Sequence, residues 1–356
     1  MSQMPVVKQL YLLFALNLVI FLPANSQDLQ YSQYYAAPLY LNPAMAGAEL
    51  SSRVGFNYRN QWPTYDVQFT SISAYYDTFI PYINSGIGVH VMQESEGISK
   101  LRSTSVSLQY SYELRLADNL YFRPGIQSSY IRREIGFTDN LVFYNDINKN
   151  DPNGPLITNS SNPNSVDPNL VDQFGLYSFT AGGLIFTNNA WIGVAAHHLN
   201  QPNQSLVDGD SSPLPRKLSF HAGFQISLEE GSMRKDFSHF RKQRYLMPTV
   251  NYKRQGPFEQ LDFGTYLYLE PLLFGAWYRG LPFKTMEGQS NRDAIVVMGG
   301  VSLVNGLNIG YSFDYTISQL GIRSGGAHEL SLSWTIPSLN QGKPLPRDTI
   351  LPSPKF

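Results

Sequence analysis

The chain has 356 residues, a net charge of −1 and no cysteine, which excludes a disulfide framework, a thiolate metal centre, a cysteine nucleophile and a lipidated cysteine anchor. Charged residues make up 15% and aromatics 13%, led by 23 tyrosines, so the surface is poor in charge, rich in amphipathic rings and without a basic footprint for nucleic acid. No linker splits the length into two parts, and the Asn/Pro/Ser/Asp-rich stretch at 144–169 reads as a loop inserted in one domain.

The first element is Lys8 followed by an apolar run over 10–22 and small residues at Ala24 and Ser26. That run is shorter than the roughly 20 residues a spanning helix needs, and residues 1–26 read as a signal peptide cut before Gln27. Residues 27–50 follow, a nearly uncharged segment crowded with tyrosine, "QYSQYYAAPLYLNPAMAG". From residue 51 to 336 the pattern has period two, the mark of strands with two unlike faces. In "TSVSLQYSYEL", Val106, Leu108, Tyr110, Tyr112 and Leu114 share one face, and Ser105, Ser107, Gln109, Ser111 and Glu113 the other. "LNIGYSFDYT" and "HELSLSWTI" repeat the scheme near the end of the chain.

About 14 such segments occur, beginning near residues 53, 67, 86, 104, 120, 174, 191, 218, 246, 259, 272, 294, 307 and 329, and they are long enough to cross a bilayer when tilted. Tyr311, Tyr315 and Trp191 sit near segment ends, as girdle residues would. Connections alternate between tight turns, such as 117–119, 187–189, 270–271 and 305–306, and longer ones at 137–171, 201–216, 280–293 and 318–327. The prediction is an all-β outer-membrane barrel of about 14 antiparallel strands with short periplasmic turns and long extracellular loops, because a strand in lipid must leave no unpaired edge. The long basic connection at 229–245 breaks the length rule, and Pro124 and Pro248, inside segments, are expected to mark bulges or strand ends. The Pro-rich residues 337–356 read as a periplasmic tail, either a docking peptide or an unengaged overhang.

The pair His197-His198 is expected to point to opposite faces, and so not to chelate one ion. "NDINKNDPNG" spaces Asp146, Asn148 and Asn150 like the start of a calcium loop but lacks the glycine and the closing glutamate, which favours a solvated loop. No nucleophile elbow, zinc helix or phosphate loop appears, so the chain reads as non-enzymatic, with no cofactor. Arg53, Asn57, Arg59, Glu113, His221, Asp262, Asp314 and Glu329 fall on the polar face and are candidate lumen-lining residues, a salt-bridged filling or a conduit.

"SQYYAAPLYLNPAMAG", "RVGFNYRNQWP", "WIGVAAHHLNQPN", "LPRKLSFHAGFQISL", "LLFGAWYRG" and "FDYTISQLGIRSGGAHELSL", in that order over 30–336, resemble the PorP/SprF family of type IX secretion system membrane proteins. Tyr31, Tyr34, Tyr35, Leu39, Asn42, Pro43 and Gly47 match the family's N-terminal segment. The resemblance implies an integral outer-membrane protein without catalysis that serves the export of surface proteins and gliding adhesins bearing C-terminal sorting domains, alongside periplasmic peptidoglycan-binding and ring subunits. The N-terminal segment is expected to pack in the barrel or at its periplasmic mouth. Tyr144, Asp146 and Asn150 in the longest loop and Arg234, Lys235 and Arg241 in the basic connection are candidate docking positions. The alternative function is a passive small-solute channel; a soluble secreted β-domain and an enzyme are lesser rivals.

Overall fold

The computed structural model describes residues 27–65, 69–97, 101–135, 173–228, 243–286, 289–318, 321–336 and 351–354. Alternation of apolar and small polar residues yields one closed antiparallel sheet of fourteen strands: β1 (Ser52–Gln61), β2 (Phe69–Ile80), β3 (Ser85–Glu96), β4 (Leu101–Tyr112, continued at Leu114–Ala117), β5 (Leu120–Glu134), β6 (Gln173–Phe186), β7 (Ala190–His197), β8 (Lys217–Phe224, continued at Ile226–Ser227), β9 (Arg244–Gln255), β10 (Phe258–Leu269), β11 (Leu272–Met286), β12 (Gln289–Ser302), β13 (Leu307–Thr316) and β14 (Ala327–Ile336). Each strand pairs with its neighbours in sequence, and β1 closes on β14 over its whole length, from Ser52 opposite Ile336 to Gln61 opposite Ala327. Closure satisfies the edge N–H and C=O groups that lipid cannot.

The outward row follows the sequence pattern: Val106, Leu108, Tyr110 and Tyr112 on β4, and Ile309, Tyr311 and Tyr315 on β13, are exposed on the lipid side. Their inward alternates Ser105, Ser107, Gln109, Ser111, Asn308, Ser312 and Asp314 are buried. Both chain ends of the sheet, Ser52 and Ile336, lie on the rim that carries the tight turns at 81–84, 187–189 and 303–306, which makes that rim periplasmic.

Several details depart from the sequence reading. Trp191 is not a girdle residue: it is 1% exposed and faces the lumen, where it donates to Tyr35. The expected loop at 280–293 is largely a hairpin, because β11 and β12 run on through register shifts at Arg279/Gly280 and Leu281/Thr285. Pro124 and Pro248 are neither bulges nor strand ends but mid-strand residues, opposite Gly183 and Thr265 respectively. Their cost falls on the other neighbour. β4 breaks at Glu113, where the ladder with β5 skips from Ser111–Gly125 to Leu114–Phe122, and β8 breaks at Gln225, where the ladder with β9 skips from Gly223–Thr249 to Ile226–Leu246. A proline has no N–H to donate, so pairing fails on the side where that donor is due.

Candidate functional site

The lumen is occupied by the chain's own N-terminal segment. Asp28 lies at the outer end of β8 and β9, where it meets Lys217 (2.7 Å), His198 (2.8 Å) and Gln255, and Gly47 lies at the periplasmic end, where its N–H meets Asp77 of β2 at 2.8 Å. Between them, all of residues 31–50 except Tyr40 are buried. Local sequence explains the path. Pro38 starts a single helical turn, α1 (Pro38–Leu41), and Pro43 a tighter turn at Pro43–Met45, whose cap is the Asn42 side chain accepting from Ala44 N–H at 2.9 Å.

The segment can approach the wall because the wall gives way there. One rung of the sheet reads Gly86, Ser111, Gly125, Gly182 across β3 to β6. A Cβ on Gly86 would come within 1.9 Å of Ala46 O, one on Gly125 within 2.4 Å of Ala44 N, and one on Gly182 within 2.2 Å of Asn42 Oδ1. Gly47, at φ +67°, turns the chain out of this saddle toward β1. Arg123, buried above the saddle, donates to the carbonyls of Ala44 and Ala46 and pairs with Glu113 at 2.6 Å.

On the opposite wall a charged network clamps Ser32 and Gln33. The Glu329 carboxylate accepts both backbone N–H groups (2.8 and 2.9 Å), and Ser32 Oγ donates to Asp314 while accepting from Arg59 and Arg279. Arg59 also pairs with Asp314 and Glu329, and Arg279 with Asp262 and Asp314. Between saddle and clamp the segment is aromatic. Tyr34 bonds Thr249, Tyr35 bonds Trp191, and Trp277, Tyr266, Met247 and Leu273 complete an apolar cluster that also contains Leu351. At the outer rim, burial alone would raise the Asp28 carboxyl, but Lys217 and His198 hold it well below the ordinary 3.8.

The candidate residues therefore fall into three groups. Tyr34, Tyr35, Leu39, Asn42, Pro43 and Gly47 all lie in the lumen segment, where Asn42 additionally donates to the carbonyls of Gly183 and Val194. Arg59, Asp314 and Glu329 share one network with Asp262, while Arg53 pairs with Asp77, Glu113 with Arg123, Asn57 donates to Ala36 O, and His221 meets Asn42. Tyr144, Asp146, Asn150, Arg234, Lys235 and Arg241 lie outside the described residues.

Sequence reading missed Asp77, Arg123 and Arg279, each of which sits on the inward parity of its strand. The parity signal was there, but in "YFRPGIQ" and "LLFGAWYRG" the inward row also carries Tyr121, Leu273 and Trp277, which masks it. The histidine pair is a correction: both rings are buried toward the lumen because His198 takes φ +55° just beyond β7, which cancels the strand alternation. The two nitrogens of His198 are engaged by Ser178 and Asp28.

Among solved structures the chain is similar to the toluene transporter TbuX of Ralstonia pickettii (10% identity, 85% of this chain and 94% of that one, TM-score 0.46) and to the CymD monoaromatic hydrocarbon channel (11% identity, 85% and 93%, TM-score 0.41). A mutant porin of Rh. blastica is a third (7% identity, 80% and 98%, TM-score 0.31). No curated protein matches it. The sequence model of the type IX secretion system membrane protein PorP/SprF matches residues 24–334, nearly the whole barrel with its lumen segment, and the chain belongs to that family.

Proposed function

We propose that this outer-membrane barrel is a non-enzymatic adaptor of the type IX machinery, which helps a surface protein with a C-terminal sorting domain to be exported or held at the cell surface. The observation that supports this reading best is the occupied lumen: residues 31–50 fill it, pinned by the Glu329 carboxylate and seated on glycines. Such a barrel offers rims and loops to partners, not an open pore for solutes. The outer rim, with the Tyr144, Asp146 and Asn150 loop, would meet the exported client. The connection bearing Arg234, Lys235 and Arg241 would face the periplasmic ring and peptidoglycan-binding subunits. Residues 1–26 act as the export signal in this reading, and 337–356 as the periplasmic tail, of which 351–354 are buried, Leu351 within the lumen's apolar cluster.

The test is to solubilise the outer membrane in mild detergent, recover the protein by a tag in a long outer loop and identify what accompanies it. A large surface protein in near-equal amount is the expected result. Recovery of the barrel alone, together with steady open conductance in planar bilayers, would overturn the adaptor in favour of a channel.

A further inference from the structure

The lumen segment does not fill the outer half evenly. Toward β11, β13, β14 and β1 it is clamped by arginines and carboxylates, but toward β3–β6 it leaves a void of about 70 Å³ bounded by Asp28 and Tyr40. At roughly 10–15 Å³ per water this is room for a handful of waters or one narrow chain. Successive rungs of its wall read Glu94, Ser103, Arg133, then Met92, Ser105, Ile131, then His90, Ser107, Ser129, Ser178.

Each of three of these residues leaves one buried atom without a hydrogen bond among the described residues. Glu94 Oε1, His90 Nε2 and Arg133 Nε are buried atoms with no hydrogen bond, and His90 as a residue is 2% exposed. Buried polar groups are ordinarily satisfied, so three orphans around one void call for an occupant. Its chemistry can be read from the set. An acceptor (Glu94) and a donor (Arg133) flank a hydroxyl on a single rung, and the hydroxyls below serve as either. That alternation matches the N–H and C=O of a peptide main chain, and Met92 and Ile131 supply small apolar contacts.

A sugar fits less well, because Tyr40, the tyrosine beside the void, has its ring capped by Lys217 Nζ at 4.5 Å and edged by Tyr31. Main-chain pairing is also on offer at the same rim. β6 pairs with β7 only over Ala181–Phe186, and its outer residues 173–176 have no ladder partner on that side among the described residues. An open edge of this kind recruits an extended strand.

We propose that the void is an outward-facing slot for a short extended peptide with small, mostly uncharged side chains, supplied by a partner outside the cell. Only the source of the peptide rests on the adaptor reading; the slot's chemistry stands apart from it.

Because the chain has no native cysteine, Ser105→Cys gives a single reactive thiol in the slot and Asn305→Cys a control in a periplasmic turn. In detergent, with folding verified by the heat-modifiable gel shift, a methanethiosulfonate reagent should modify both variants. The probe Gly-Ser-Asn-Ser-Gly amide at millimolar concentration should slow modification at 105 at least fivefold and leave 305 unchanged. Adding Glu94→Gln and Arg133→Gln should raise the protecting concentration about tenfold.

A thiol at 105 that never reacts, peptide without effect, or equal protection by maltotriose would overturn the slot. Protection that appears only after residues 136–172 are shortened would make the chain's own loop the occupant and overturn the external partner. The client pull-down can fail while protection holds, and the reverse, so the two readings fall separately.

Discussion

Single residues decide whether the lumen segment seats, and the glycine saddle is the sharpest case. Gly125→Val would place side-chain carbons where Ala44 N already sits 2.4 Å from an ideal Cβ, against backbone that cannot swing aside. Overpacking of this kind costs about 1–3 kcal/mol, so the gel-shift midpoint should fall, whereas Gly299→Ala, with nothing within 4 Å, should leave it in place. Arg59→Met removes the ion-pair partner of Glu329 and one of the two of Asp314, and breaking a buried pair costs about 3–5 kcal/mol. Its midpoint should fall further than that of any single Ser32 variant, in which Arg59 and Arg279 keep their pairs with Asp314 and Glu329.

Asp28 adds a dependence on pH. Its carboxyl is held below 3.8 in the fold, so the contribution is complete above that value and is lost as pH falls through the lower folded value. Cleavage of the segment's amino end by a protease active in acid should therefore accelerate below about pH 4 in the native protein. In Asp28→Asn it should already be fast at about pH 5, where the native protein still resists. A flat cleavage rate over that window would show that the latch contributes nothing.

At the scale of elements, the sequence reading and the structure agree where physics imposes one period and part where a second contact intervenes. All fourteen strands were legible, since lipid outside and polar groups inside enforce strict alternation in segments such as β4, β13 and β14. Legibility fails where the inward face meets the aromatic segment instead of polar groups. Trp191 and Trp277 point inward because Tyr34 and Tyr35 are there to receive them, a fact no local pattern carries. The His198 turn and the strand breaks opposite Pro124 and Pro248 likewise depend on a neighbouring strand, not on the residue's own segment.

Deleting residues 28–47 tests the segment as an element. It would leave Glu329, Asp314, Arg279 and Arg123 without the Ser32 and Gln33 groups and the Ala44 and Ala46 carbonyls they hold. Steps of open conductance should appear where the full chain shows none, and the midpoint should drop. Unchanged conductance and unchanged folding would defeat the idea that the segment braces the barrel.

For the molecule as a whole, both ends of the chain return to the same lumen, and they are held by unlike forces. The amino-terminal segment is bound by charge-assisted hydrogen bonds along its length, with Glu329 and Asp314 at one wall and Arg123 at the other. Leu351, by contrast, contributes apolar burial to the cluster around Trp191 and Trp277. Burying a leucine side chain is worth about 1.5–3 kcal/mol, less than the roughly 3–5 kcal/mol lost when one buried ion pair is broken.

Truncation after Ile336 should therefore leave the lumen closed to ions, because the amino-terminal segment keeps its clamps. It should loosen only the cluster that Leu351 joins. In a Trp62→Phe, Trp334→Phe background only Trp191 and Trp277 report, and acrylamide should quench their emission more strongly in the truncated chain than in the full one. Conductance that opens on truncation alone would mean that the carboxyl-terminal residues, and not the clamped segment, hold the barrel shut.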